Sequence, residues 1–204
     1  MYRVNKAFQK LVYIDRPHDP NTVDTMQRII NYFKSNAMFL LIMTALLGYL
    51  AYQRLPLYLN DRRLIDQPAI DFELGSDHSA ERLSNLQGRK VLLVFWATWC
   101  AVCEREIPAL KESYAELKDA DFELLAITNE DSVRVAPYIE RHAMDYPIVY
   151  DADGRISYAY GVQALPTMVW IDAEGVVEDI SHGMEFALTR KLRYWVTGSI
   201  FSDS

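Results

Sequence analysis

From about residue 69 onward, short continuous apolar runs alternate with stretches of helical spacing. Residues 90–96 (KVLLVFW) form a β-branched and aromatic run of the kind a central strand covered on both faces needs. Residues 100–117 switch to helical spacing, with Ile107, Leu110, Tyr114 and Leu117 on one stripe. Residues 122–128 (FELLAIT) read as a second buried strand, and 135–143 as a helix beginning near Pro137. After 146–150 come a turn, Asp151-Ala152-Asp153-Gly154, and a short helix over 155–160. Residues 167–172 and 176–181 read as an antiparallel hairpin across Ala173-Glu174-Gly175, and 185–196 as a terminal amphipathic helix. This order predicts an α/β domain, a mixed sheet flanked by helices on both faces.

The upstream pattern differs. Between Lys34 and Arg54 lie 19 uncharged residues, SNAMFLLIMTALLGYLAYQ. As a helix they span roughly 28 Å, close to the thickness of a hydrocarbon core of about 30 Å. Tyr49, Tyr52 and Tyr58 suit an interfacial belt, and Lys34 and Arg54 can reach the two head-group regions. A soluble helix would carry charge on one face. A cleaved signal would have a shorter leader and an A-x-A-like site, which this chain lacks. The expected organisation is an N-terminal cytoplasmic segment, 1–35; one transmembrane helix, 36–54; a tether, 55–68, stiffened by Pro56 and Pro68; and the α/β domain, 69–204. Within the first segment, 4–14 is amphipathic and breaks at Pro17 and Pro20. A helix capped by Asn21 or Thr22, with Asp24 in its first turn, runs on into the span.

Composition narrows the function. Half of the 204 residues are apolar and 24% are charged, which excludes a disordered, collagen-like or many-helix membrane protein. Residues 1–66 carry 9 Lys and Arg against 5 Asp and Glu, whereas 67–204 carry 12 against 23. So acidic a domain repels phosphate backbones, and no nucleic acid partner is expected. No G-x-G-x-x-G or phosphate loop is present, and His18, His78, His142 and His182 show no metal-binding spacing. The Asp151–Gly154 run resembles a calcium loop but lacks the later ligands, so it reads as a turn. Neither a metal nor another cofactor is expected.

Only two cysteines occur, Cys100 and Cys103, three positions apart. The surrounding F-W-A-T-W-C-A-V-C places C-x-x-C where a buried strand gives way to a helix. Cys100 at the cap or first position meets free N–H groups and the helix dipole, which stabilise a thiolate. Cys103, one turn further in, is close enough to close a disulfide. Cys100 then attacks a partner disulfide and Cys103 resolves the mixed disulfide; the reverse sequence oxidises a partner dithiol.

These residues resemble the thioredoxin superfamily and, more narrowly, the membrane-anchored TlpA/ResA group of thiol-disulfide oxidoreductases. The likeness is carried by VLLVFWATWCAVCEREIPAL at 91–110 and YGVQALPTMVWID at 160–172, and it covers about residues 69–197. It implies a thioredoxin-like fold, a single-span protein of the bacterial inner membrane with its domain on the outer or periplasmic face, and extracytoplasmic protein thiols or disulfides as partners. A membrane thiol carrier would supply electrons. In the pattern W-C-x-x-C-x-x-E-x-P, the resemblance makes Cys100 and Cys103 the redox pair and Glu106 a candidate acid/base. The competing reading of Glu106 is a solvated carboxylate that favours the helix dipole. Pro108 is expected to kink the helix. Pro166 matches the family's cis proline facing the dithiol, with the backbone of Leu165 pairing with a partner and Trp99 covering the reactive sulfur. Val94 stands where thioredoxin has a buried carboxylate, so that proton relay is absent. Thr167 replaces the glutamate common in the cytochrome c maturation branch.

The resemblance thus points to a protein disulfide reductase, with roles in cytochrome c maturation or envelope redox homeostasis. Two alternatives use the same cysteines: a disulfide-donating oxidase, and a Cu(I) metallochaperone in which His182 is a third ligand. A peroxidase pattern fails because Ala97 stands three residues before Cys100.

Overall fold

A computed structural model describes residues 20–75 and 78–199. The expected amphipathic stretch at 4–14 lies outside them. The chain divides into two units, 1–54 and 55–204.

The first helix, α1, runs from Pro20 to Leu64. Asn21 and Thr22, expected as caps, therefore lie inside it. Its stretch Asn36–Leu64 is long and apolar enough to cross a membrane, and Met38, Phe39, Leu41 and Leu47 are exposed along it. Residues 55–64, expected to belong to a tether, instead continue the helix. The run holds no glycine, and its last residue, Leu64, is buried in the domain core, which makes the ordered helix worth more than a loose link. The segment after it crosses to the edge strand: Asp66 N donates to Val177 O, and Val177 N to Gln67 O, both at 2.9 Å.

In the domain, a 3₁₀ turn at Leu83–Leu86 leads into β1, Lys90–Phe95. Then follow α2 (Ala101–Leu117), β2 (Phe122–Thr128), α3 (Ser132–His142), β3 (Ile148–Tyr150), α4 (Arg155–Ala159), β4 (Thr167–Ile171), β5 (Val177–His182) and α5 (Leu188–Thr197). The five strands are ordered β3-β2-β1-β4-β5; β1 is parallel to β2 and antiparallel to β4. The mixed α/β sheet expected from the apolar runs is present.

Period-two alternation splits each central strand between two cores. Leu92 and Val94, Leu124 and Ala126, and Met168 and Trp170 face the core closed by α2 and α5 through Ile107, Leu110, Leu117, Leu188 and Leu192. Leu93 and Phe95, Leu125 and Ile127, and Val169 and Ile171 face the other, with Phe72, Leu83, Leu86, Tyr160 and Leu64. The strands read as unbroken apolar runs because both faces are dry.

Two boundaries moved. α3 starts at Ser132 rather than near Pro137, because the Asp131 carboxylate accepts from Arg134 N at 2.9 Å and caps it earlier. Pro137 then sits inside, at the cost of one backbone bond. α5 starts at Leu188 rather than at residue 185. Ala187 adopts the left-handed region (φ 59°), and the residues before it form a loop that bonds elsewhere. The Asp151 turn is present, with Asp151 buried and accepting from Ile156 N and Ser157 N at the start of α4.

Candidate active site

β1 ends in the middle of the sheet, so the chain that leaves it emerges at the carboxyl edge of a parallel strand pair, where helix N-termini also collect. There Ala97 O accepts from Cys100 N at 3.1 Å, which turns the chain into α2. Cys100 is the N-cap of α2, and its Sγ accepts from Cys103 N at 3.2 Å. A side-chain sulfur therefore takes the place that serine or aspartate usually fills. That N–H and the helix dipole both favour negative charge on Cys100 Sγ once the bond to Cys103 opens. The two sulfurs are joined as a disulfide, and both residues are buried.

Glu106 lies one turn beyond Cys103, on the inner face of α2. It is 3% exposed, so the solvated-carboxylate reading is set aside. Its Oε1 accepts from Glu185 N at 2.6 Å, while Oε2 is buried without a partner. Burial pushes its carboxyl up from the ordinary range to about 7, because removing water penalises the charged form more than one N–H bond restores it. Cys103, Glu106, Val94, Trp96, Tyr146 and Pro166 line one internal cavity of about 10 Å³, barely room for one water. Val94 is thus on the wall of the pocket that holds Glu106, consistent with a carboxylate supplied from α2 rather than from β1. Pro108 lies inside α2, where it removes the N–H that would pair with Glu104 O.

The Leu165–Pro166 bond is cis. Pro166 is buried and lines the same cavity as Cys103, and its carbonyl accepts from Gly183 N at 2.8 Å. Leu165 is half-buried. Trp99, 69% exposed, faces Leu165 across a surface cleft of about 230 Å³ that Val162, Gln163 and Ala164 also line. The structure therefore brings all six expected site residues to one end of the sheet, around one sulfur pair.

Sequence reading missed Glu130. Its carboxylate is buried and accepts from Thr98 N at 2.6 Å and Thr98 Oγ1 at 2.9 Å, with Arg134 Nε at 3.0 Å. It fixes the residue two positions before Cys100 from a different loop, and an acidic residue after a strand gave no local sign of this. His182, weighed as a third metal ligand, has both ring nitrogens engaged: Nδ1 lies 2.9 Å from Thr167 Oγ1, and Nε2 lies 3.1 Å from Asp61 Oδ2. Among the described residues, no group of three or more His, Cys, Asp or Glu side chains is placed to hold a metal ion.

Comparison with known proteins agrees with this arrangement. Residues 65–180 match the AhpC/TSA family. The thiol-disulfide oxidoreductase ResA of Geobacillus thermodenitrificans is 35% identical over 150 residues, which cover 72% of this chain and 84% of that protein. Among solved structures, a Chlorobium tepidum protein assigned as the thiol:disulfide interchange protein DsbE is 25% identical with a TM-score of 0.60, covering 67% of this chain and 98% of that one. The exposed lipoprotein thioredoxin Etrx1 of Streptococcus pneumoniae is 29% identical with a TM-score of 0.53, covering 61% of this chain and 98% of that one.

Proposed function

For a chain that belongs to the AhpC/TSA family and is a thioredoxin-like thiol-disulfide oxidoreductase, we propose membrane anchorage by the 36–54 span and reduction of disulfides in extracytoplasmic proteins. The domain then faces the outer or periplasmic side of a bacterial inner membrane. The single observation that carries the chemistry is the Cys100–Cys103 pair at the N-terminus of α2, with the buried Glu106 and Pro166 sharing a cavity with Cys103.

In the forward cycle the Cys100 thiolate attacks one sulfur of a partner disulfide. The partner S–S bond breaks, one partner thiolate leaves, and a mixed disulfide forms at Cys100. Cys103 gives up its proton to Glu106, and its thiolate attacks Cys100 Sγ. The second partner thiolate leaves and the disulfide seen here forms. Two electrons pass to the partner, which ends as a dithiol after taking up two protons. A carboxyl held near neutrality is suited to this exchange, since it can both hold and release a proton at working pH. A membrane thiol donor restores the dithiol by the same exchange in reverse. Cytochrome c maturation and general envelope redox balance are the processes that consume such a reductant.

The test is the equilibrium reduction potential of the pair in dithiothreitol or glutathione redox buffers. A value at or below about −250 mV supports a reductase. A value near about −120 mV would reverse the direction and make this a disulfide donor.

A further inference from the structure

The cleft beside Trp99 is walled on one side by residues 162–165 of the 161–166 loop that joins α4 to β4, with Trp96, Ile127, Asn129 and Ser157 among the rest of its lining. Both ends of that loop are held by two consecutive residues near the end of α1. At the first end, Asn60 Nδ2 donates to Tyr160 O at 3.1 Å. Gly161 has φ +63°, and a Cβ there would stand 2.2 Å from Asn60 Oδ1, so glycine serves both the turn and the approach of Asn60. At the other end, Thr167 Oγ1 donates back into the loop at Ala164 O, 2.8 Å away, and touches His182 Nδ1. His182 Nε2 in turn meets the Asp61 carboxylate. An imidazole can bridge a hydroxyl and a carboxylate because its two nitrogens point in different directions. The Asp61 and His182 side chains are only 18% and 17% exposed, so solvent screens the pair far less than it screens a surface ion pair.

We propose that Asn60 and Asp61 are positioning residues for substrate recognition, clamping the two ends of the 161–166 loop and so setting the width of the cleft between that loop and Trp99. This rests on the reading that a partner protein's segment lies in that cleft beside Cys100. The clamp acts on the protein substrate and not on the sulfur pair, because the hydrogen bonds of Asn60 and Asp61 run to Tyr160, Arg63 and His182 and not to Cys100, Cys103 or Glu106. A small disulfide that reaches Cys100 without occupying the cleft is indifferent to it.

The experiment uses the full chain in detergent, reduced beforehand. Rates are compared for a disulfide-containing peptide and for 2,2′-dithiodipyridine, in the unsubstituted protein and in Asn60→Ala, Asp61→Ala and Leu64→Ala. Leu64→Ala removes packing from the same helix end without touching the clamp, and thermal unfolding is followed for each protein. The expected result is a loss of about tenfold toward the peptide in Asn60→Ala and Asp61→Ala, with less than about twofold toward dithiodipyridine, since small misplacements of a binding wall cost an order of magnitude or more. Leu64→Ala lowers the unfolding temperature but keeps the ratio of the two rates. Equal loss on both disulfides, no loss on the peptide, or the same selective loss in Leu64→Ala overturns the proposal. If the unsubstituted protein reacts with dithiodipyridine but not with the peptide, the partner-binding reading beneath it fails, and the proposal with it.

Discussion

Glu106 and Glu130 are both buried carboxylates, yet they do different work because their partners differ. Glu130 is satisfied by two donors from Thr98 and by Arg134, which makes it a fixed strut for the turn into Cys100. Glu106 has one N–H and an empty second oxygen, which leaves it poised to take a proton. Its carboxyl is raised within the fold to about 7 from an ordinary value of 4.5. A raised carboxyl binds its proton more tightly folded than unfolded. Its contribution to stability is therefore fully present below about pH 4.5 and is lost as pH rises through 7, to a limit of about 3 kcal/mol. Glu106→Gln keeps the acceptor for Glu185 N and has no proton to lose. Denaturant unfolding of the oxidised protein should thus find the variant gaining on the unsubstituted protein between pH 4.5 and 8, and levelling above it. Parallel curves for the two would show that Glu106 is not held protonated by burial. The motif pointed to Glu106 at its position, but only the packing of the 183–187 loop over α2 decided that it is dry.

At the scale of elements, the end of α1 belongs to the domain. Leu64 is buried, Ile65 packs beside it, Asp66 bonds to β5, and Asn60 and Asp61 reach the loop before β4 and the end of β5. The segment that follows it, residues 66–69, pairs with the start of β5, an edge strand whose unpaired groups would otherwise invite another chain. A fragment beginning at residue 55 should accordingly be more stable than one beginning at residue 67 by about 3 kcal/mol, the sum of one buried leucine and a few hydrogen bonds. Urea midpoints measured on the two fragments check this, and coincident midpoints would mean that the helix end is only an appendage. Pro56 and Pro68 read locally as the stiff points of a linker. That signal is local, whereas the hydrogen bonds that tie Asn60, Asp61 and Asp66 to the domain reach Tyr160, His182 and Val177, each 100 or more residues away.

For the whole molecule, an acidic oxidoreductase domain follows a helix whose apolar side chains lie exposed. On the proposed anchorage, lipid covers them. In a chain with Cys100 and Cys103 replaced by serine, a cysteine at Tyr158, 87% exposed, should react with a membrane-impermeant maleimide in intact spheroplasts. A cysteine at Gln9 should react only after lysis, and the opposite pattern would place the domain inside. The sequence by itself determined the strands, because unbroken apolar runs have no other dry home. It also determined the helix stripes, a helix long and apolar enough to cross a membrane, and the sulfur chemistry of a C-x-x-C at a strand-to-helix turn. All of these are set by neighbours within a few residues. Only the tertiary structure decided which carboxylate is starved of water and which is fully bonded, that His182 serves Asp61 and Thr167, and that the end of α1 holds the loop beside the dithiol. Those outcomes depend on groups that meet only after the sheet has closed, and neither burial nor a hydrogen-bond partner 100 residues away leaves a mark in the local order of residues.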